Sequence, residues 1–200
     1  MTLDKFRPLA TRLMRPWVRA AVAVGATPNT VSVVAFLFAV GAAVAFYVAT
    51  PLAYAFGAFF VVANGWLDLL DGALARELGT DSLAGDLLDH VLDRYADVVV
   101  VGGLAAGIGR YDLGLAAVTG VLLTSYLGTQ AQAVGLDRVY GGVLGRADRL
   151  ALVGITGGVA AFDPPLLAGF TVVAWLLALF AVVGHLTAIQ RFVSAWRQLS

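Results

Sequence analysis

Apolar runs of membrane-spanning length recur along this chain from one end to the other, and any fold it adopts must give them an apolar environment. They fall at about residues 30–49, 52–75, 83–107, 111–135, 147–161 and 165–189. The chain has 200 residues, 60% of them hydrophobic and 13% charged, so these runs and their connectors leave no room for a separate soluble domain. The expectation is one all-α integral membrane domain, 1–200, with six transmembrane helices forming a core at 28–190. The run at 147–161 is the shortest and the weakest of the six.

Residues 1–23 differ in kind. Lys5, Arg7, Arg12, Arg15 and Arg19 are interleaved with Phe6, Leu9, Leu13, Trp17 and Val18. Helical spacing puts Arg12, Arg15 and Arg19 on one face, the pattern of a basic amphipathic helix lying on a membrane surface. Pro8 suits its first turn, whereas Pro16 is expected to kink or interrupt it. Thr27-Pro28-Asn29 then punctuates the chain ahead of the first span. No cleavable signal peptide is evident, and the absence of cysteine excludes disulfide bracing. With six spans, the N-terminus, the 76–82 and 136–146 loops and the C-terminus share one side. Together with Arg149 they hold every Lys and Arg except Arg94 and Arg110, so that side is expected to face the cytoplasm of a multi-pass cell-membrane protein.

Asp68, Asp71, Asp89 and Asp93 flank the 76–82 loop in otherwise apolar sequence. A carboxylate at the bilayer centre costs at least about 2.5–3.5 kcal/mol, so four converging there require a cation or a polar cavity. Hard oxygen ligands without Cys or a nearby His pair suit Mg²⁺ or Mn²⁺ better than Zn²⁺. Residues three or four apart share a helical face, so Asp68 pairs with Asp71 and Asp89 with Asp93 on two antiparallel neighbours. Two facing carboxylate pairs can hold two divalent ions roughly 3.5–4 Å apart, an arrangement suited to phosphoryl displacement. Gly72 and Ala75 leave room for a ligand to approach the backbone, and Arg76 adds a fork-shaped phosphate donor. Asp86 and Asp97 extend the Asp89–Asp93 stripe, and Asp97 is deep enough to need a partner, with Arg94 or a residue on another span available. His90 points about 100° away from Asp89, towards packing or a supporting role. His185 is expected to bridge helices. Trp66, Trp175 and Trp196 fit interfacial anchoring or packing.

These residues fill every position of D-x2-D-G-x2-A-R-x8-G-x3-D-x3-D, and over Asp68–Asp93 the chain resembles the CDP-alcohol phosphotransferase family. Eight fixed positions in 26 make the pattern specific. The resemblance implies an integral membrane enzyme that directs a small alcohol at the β-phosphate of a CDP-linked lipid and releases CMP. It implies metal ligation by Asp68, Asp71, Asp89 and Asp93, with Asp93 also the general base. Gly72, Ala75, Arg76 and Gly85 would contact the CDP moiety of CDP-diacylglycerol or CDP-archaeol. Ser82 falls where family members contact the nucleotide, and Asn29 and Ser32 match a Pro-Asn-x-x-Ser/Thr pattern. Helix capping explains Ser82 and Asn29 equally well. The resemblance also implies a homodimer, and nothing in the chain suggests nucleic acid as a partner.

Ser125-Tyr126 and Gly145-Arg146-Ala147-Asp148-Arg149-Leu150 resemble the family branch that makes phosphatidylinositol phosphate and archaetidylinositol phosphate. The implied acceptor is a small polyol phosphate, inositol 1-phosphate foremost, with Arg146 and Arg149 holding its phosphate. Positive-inside anchoring is the alternative role for these two arginines. One departure stands out, because Gly128 and Gln130 occupy places where that branch carries Lys and Arg. Glycerol phosphate, serine or another small alcohol is then the alternative acceptor, unless Arg138 substitutes. A divalent-cation transporter and a membrane prenyltransferase are the rival classes. A transporter would place its carboxylates at the bilayer midplane on broken helices. A prenyltransferase would normally be longer and has no use for the Gly-x2-Ala-Arg linkage.

Overall fold

The computed structural model describes residues 7–136 and 144–200, and these fold into seven helices. They are α1 (Arg7–Ala23), α2 (Pro28–Val48), α3 (Pro51–Leu78), α4 (Leu83–Gly107), α5 (Tyr111–Ala133), α6 (Arg146–Ala160) and α7 (Val172–Leu199). Among the described residues four helices are long and apolar enough to cross a membrane: α2, α3, α5 and α7. At 25 residues α4 has comparable length, but it carries Asp86, Asp89, Asp93, Arg94 and Asp97. Large apolar side chains cover much of the exterior, with Leu37, Val44, Phe59, Leu115, Ile155 and Val182 all exposed. Such a surface suits hydrocarbon better than water.

Local chemistry explains most helix boundaries. Thr27 caps α2, its Oγ1 accepting from the Thr30 amide at 3.2 Å, and Pro28 follows in the first turn. Thr50 caps α3 in the same way, with Pro51 next. Ala49 and Thr50 are the whole connection, so α2 and α3 run antiparallel. Gly79, at φ +61°, ends α3, and Ser82 caps α4 through the Gly85 amide. Asp68 and Asp71 near the end of α3 and Asp89 and Asp93 near the start of α4 thus come to one end of the molecule.

Two boundaries depart from the sequence reading. The helix expected at 52–75 continues to Leu78, because polar Arg76 and Glu77 are good helix formers although the apolar run has stopped. The last helix, expected at 165–189, spans Val172–Leu199 instead. Pro164 and Pro165 leave the start of that run unable to donate helical hydrogen bonds, and Leu167 and Phe170 pair their backbones across a tight turn. Trp175 donates its indole N–H to the Leu167 oxygen, and Thr171 then caps α7.

The helix α1 is not interrupted at Pro16. Met14, Val18 and Ala21 form a buried stripe against Leu70 and Leu74 of α3 and Val31 of α2, so packing holds the turns on both sides of the proline. Trp17 meets Trp66 edge to face, and Arg15 and Arg19 point outward.

The main core lies deeper, around Phe46, Leu104, Leu177 and Phe180. On α4, Gly103 and Gly107 press directly on the α2 backbone at Ala43 and Phe46, where any Cβ would overlap a carbonyl. Small residues let two helix backbones approach this closely. That contact fixes α4 against α2, and with it the register of the aspartates at the polar end.

Candidate active site

On α3, Asp68 and Asp71 lie one turn apart, and α4 brings Asp89 and Asp93 opposite them. All four line one cavity between α2, α3 and α4. One carboxylate oxygen from each of Asp68, Asp71 and Asp89 lies within 4.8 Å of the others, close enough to share one cation. Ser32 of α2 donates its hydroxyl to Asp71 Oδ2 at 2.6 Å, which fixes that carboxylate's orientation.

Asp93 joins the cluster through an arginine. Arg146, at the start of α6, places Nη1 2.6 Å from Asp68 Oδ2 and Nη2 2.6 Å from Asp93 Oδ1. Its guanidinium therefore clamps a carboxylate of α3 to one of α4. Gly145 donates its amide to Asp148 Oδ2, which braces the turn that presents Arg146. A divalent cation bound by Asp68 and Asp93 would compete with Arg146 for the same oxygens.

One turn further along α4, Asp97 is buried and receives Arg149 Nη2 at 3.1 Å, with Arg94 Nη1 at 3.5 Å. Arg94 also reaches Asp93 at 3.5 Å and donates to Ser125 of α5. The partner Asp97 requires is thus Arg149 together with Arg94. Arg149 itself is buried, and lines a second cavity with Thr124, Gly184 and Thr187. Arg191 of α7 is buried beside it and donates to the Thr124 carbonyl at 2.6 Å.

The residues expected at the nucleotide also gather. Ser32 touches Asp71, and a Cβ on Gly85 would meet both Ser82 Oγ and Asn29 Oδ1. Gly72 lies beside Arg76, whose Nη1 is the nearest atom to its open face. Ala75 is on the same turn of α3 and accepts the capping N–H of Gly79 through its carbonyl. Ser82 is a helix cap, while Thr27 takes that role at α2 in place of Asn29. Arg138 lies outside the described residues. His90 turns back to Asp86, its Nδ1 2.9 Å from the Asp86 carbonyl oxygen, and His185 reaches Thr119 of α5 at 3.4 Å. Two groups escaped the sequence reading. Arg191 follows an apolar run and so resembles an anchoring cation. Asn64, one turn before Asp68, carried a signal in its spacing that was available.

The match to known proteins covers far more than the aspartate motif. The family model for CDP-alcohol phosphatidyltransferase matches residues 25–197. The chain belongs to this family. It is a membrane-bound transferase of phospholipid biosynthesis. It is 28% identical over 202 residues to an archaetidylinositol phosphate synthase of Methanothermobacter thermautotrophicus, covering 98% of this chain and 95% of that one. It is 34% identical to a phosphatidylinositol phosphate synthase of Mycobacterium marinum over 95% of this chain and 82% of the relative. The crystal structure of Mycobacterium tuberculosis phosphatidylinositol phosphate synthase with CDP-DAG bound superposes with a TM-score of 0.79 at 30% identity, covering 92% and 94% of the two chains. A structure of the same enzyme in complex with manganese and citrate also gives 0.79, at 29% identity over 92% and 88%.

Proposed function

We propose that this CDP-alcohol phosphatidyltransferase moves the phosphatidyl or archaetidyl group of a CDP-linked lipid onto inositol 1-phosphate. The observation that carries the acceptor reading is the placement of Arg146 and Arg149. Both stand against the face of α4 that bears Asp93 and Asp97, so cationic side chains adjoin the base. A phosphorylated polyol entering there would meet guanidinium groups with its phosphate and a carboxylate with its hydroxyl. Buried Arg191 and the second cavity extend this cationic side away from the donor. The inositol-phosphate chemistry named for the relatives points the same way.

The carboxylate cluster fits a divalent cation, since three carboxylate oxygens converge and, among the described residues, two arginines, Arg146 and Arg94, reach a set of four aspartates. Asp68, Asp71, Asp89 and Asp93 would hold Mg²⁺ or Mn²⁺, read as two ions because facing carboxylate pairs suit a two-metal site, and these would neutralise the diphosphate of the donor. Gly72, Ala75, Arg76, Ser82, Gly85, Asn29 and Ser32 form the side facing the nucleotide. The acceptor hydroxyl oxygen attacks the lipid-bearing β-phosphorus, the bridging P–O bond to CMP breaks, and the hydroxyl proton passes to Asp93. Ser32 donates its hydroxyl proton to Asp71, a carboxylate assigned to the cation, and His90 turns back to Asp86, so one in-line displacement is expected, with inversion at phosphorus.

The helices α2–α7 are read as six spans preceded by a surface-lying α1, with the aspartates opening to the cytoplasm beside the Arg-rich connections. The functional unit is read as a homodimer, on family grounds. A second acceptor reading, glycerol phosphate, serine or another small alcohol, is favoured by Gly128 and Gln130, which lack the cations of the branch. A panel of inositol 1-phosphate, glycerol phosphate, serine, inositol and glycerol, scored by CMP release, decides between them. Preference for serine or an unphosphorylated alcohol would overturn both phosphorylated acceptors.

A further inference from the structure

Asn64 lies four residues before Asp68 and seven before Asp71, so the three side chains occupy successive turns of one stripe on α3. It is 2% exposed and lines the cavity with the four aspartates. Its Nδ2 donates to the Ala35 carbonyl at 2.9 Å, one turn along α2 from the Ser32 that holds Asp71. A main-chain carbonyl only accepts, so this contact fixes the amide with its NH₂ towards α2. The other end, Oδ1, is then turned away from α2, and it is buried without a hydrogen-bond partner.

A leucine would fill this space at no polar cost, so the orphaned oxygen calls for a partner. The protein wall supplies none. Ionised carboxylates only accept, Phe36, Leu92 and Ala96 are apolar, and Ser32 has committed its single proton to Asp71. The missing partner is then a donor that enters the cavity from outside, and the four carboxylates lining the same cavity favour one carried by a cation. We propose that Asn64 is a positioning residue of the metal site, its Oδ1 accepting from the water shell of a divalent cation held by Asp68 and Asp71. A neutral oxygen there adds a contact to the ion without adding to the repulsion among four carboxylates. This inference rests on the metal-dependent reading of the site above.

The test is Mn²⁺ titration of the purified full chain in lipid nanodiscs without any CDP-lipid, reading free Mn²⁺ by electron paramagnetic resonance. Asn64→Leu is expected to bind Mn²⁺ about 10–100-fold more weakly than wild type, the usual cost of losing a group that supports metal ligands. Wild-type affinity in Asn64→Leu would reduce the residue to a brace between α2 and α3 and overturn the proposal. If Asn64→Leu does not fold, Asn64→Asp decides. It keeps an oxygen at the cavity but loses the donor to Ala35, so tighter Mn²⁺ binding supports the proposal and equal or weaker binding overturns it. A wild-type chain that binds no Mn²⁺ would overturn the metal reading itself and this inference with it.

Discussion

The α2–α4 half of the site and the α5–α7 half solve the same problem, charge beneath an apolar exterior, in different ways. In the first half four aspartates sit close together, inside 26 residues with one short turn between their helices, and among the described residues they outnumber the arginines that reach them, Arg94 and Arg146. In the second half arginines arrive singly, Arg146 and Arg149 from α6 and Arg191 from α7, and each has an acceptor. A cluster of like charges is stable only with something added, whereas a set of matched pairs is stable as it stands. On the proposed function, the aspartate half takes up a cation and the arginine half exchanges an internal partner for an external anion.

The largest effect should come from withdrawing what the aspartate half lacks. Activity, followed as CMP release, should vanish in EDTA and return with Mg²⁺ or Mn²⁺. Full activity in exhaustively chelated enzyme would erase the distinction between the two halves.

Next in size is Asp93→Asn. The substitution preserves shape and a hydrogen bond to Arg146 but removes the proton acceptor, so turnover should fall about 10²–10⁴-fold while CDP-lipid still binds. Near-normal turnover in the purified variant would take the base role from Asp93.

The same contrast explains what could be read from the sequence. The aspartate half was legible because helical spacing converts short sequence separations directly into shared faces. Asp68, Asp71 and Asp89 do converge, with Ser32 against Asp71 and Gly85 beside Ser82 and Asn29. The arginine half depends on contacts 52 and 67 residues apart in sequence, Arg149 to Asp97 and Arg191 to Thr124. No local period encodes such separations, and a cation at the end of an apolar run looks like an anchor. The start of α7 was misplaced for a related reason, since hydropathy continues through Leu166 and Leu167 although Pro164 and Pro165 forbid a helix there. Apolarity marks what is buried or faces lipid, and hydrogen-bonding capacity decides where the helix begins.

A smaller effect separates pairing from binding on the arginine side. Arg146→Ala and Arg149→Ala should each raise the acceptor KM roughly tenfold or more, each lost charge-assisted bond being worth about 1.5–3 kcal/mol, with CDP-lipid KM nearly unchanged. Arg149→Ala also leaves Asp97 buried with only the longer Arg94 contact, so its melting temperature should drop where that of Arg146→Ala drops less. Adding Asp97→Asn to Arg149→Ala should recover stability without recovering acceptor affinity. Recovery of both would mean that Arg149 serves Asp97 alone.

The smallest predicted effects compare one hydroxyl from each half. Ser32 Oγ supports Asp71 on the aspartate side, and Ser125 Oγ accepts from Arg94 on the arginine side. Ser32→Ala removes the one side-chain donor that orients Asp71, and should weaken Mn²⁺ binding about three- to tenfold, in line with a hydrogen bond worth about 0.5–1.5 kcal/mol. Ser125→Ala removes one of several partners of Arg94, which keeps Asp93 and Asp97 within 3.5 Å. It should therefore leave Mn²⁺ affinity unchanged and raise the acceptor KM no more than threefold. If Ser125→Ala instead weakened Mn²⁺ binding as much as Ser32→Ala, Arg94 would be transmitting α5 to the carboxylates. The two halves would then form one coupled charge network in place of a cation site beside an anion site.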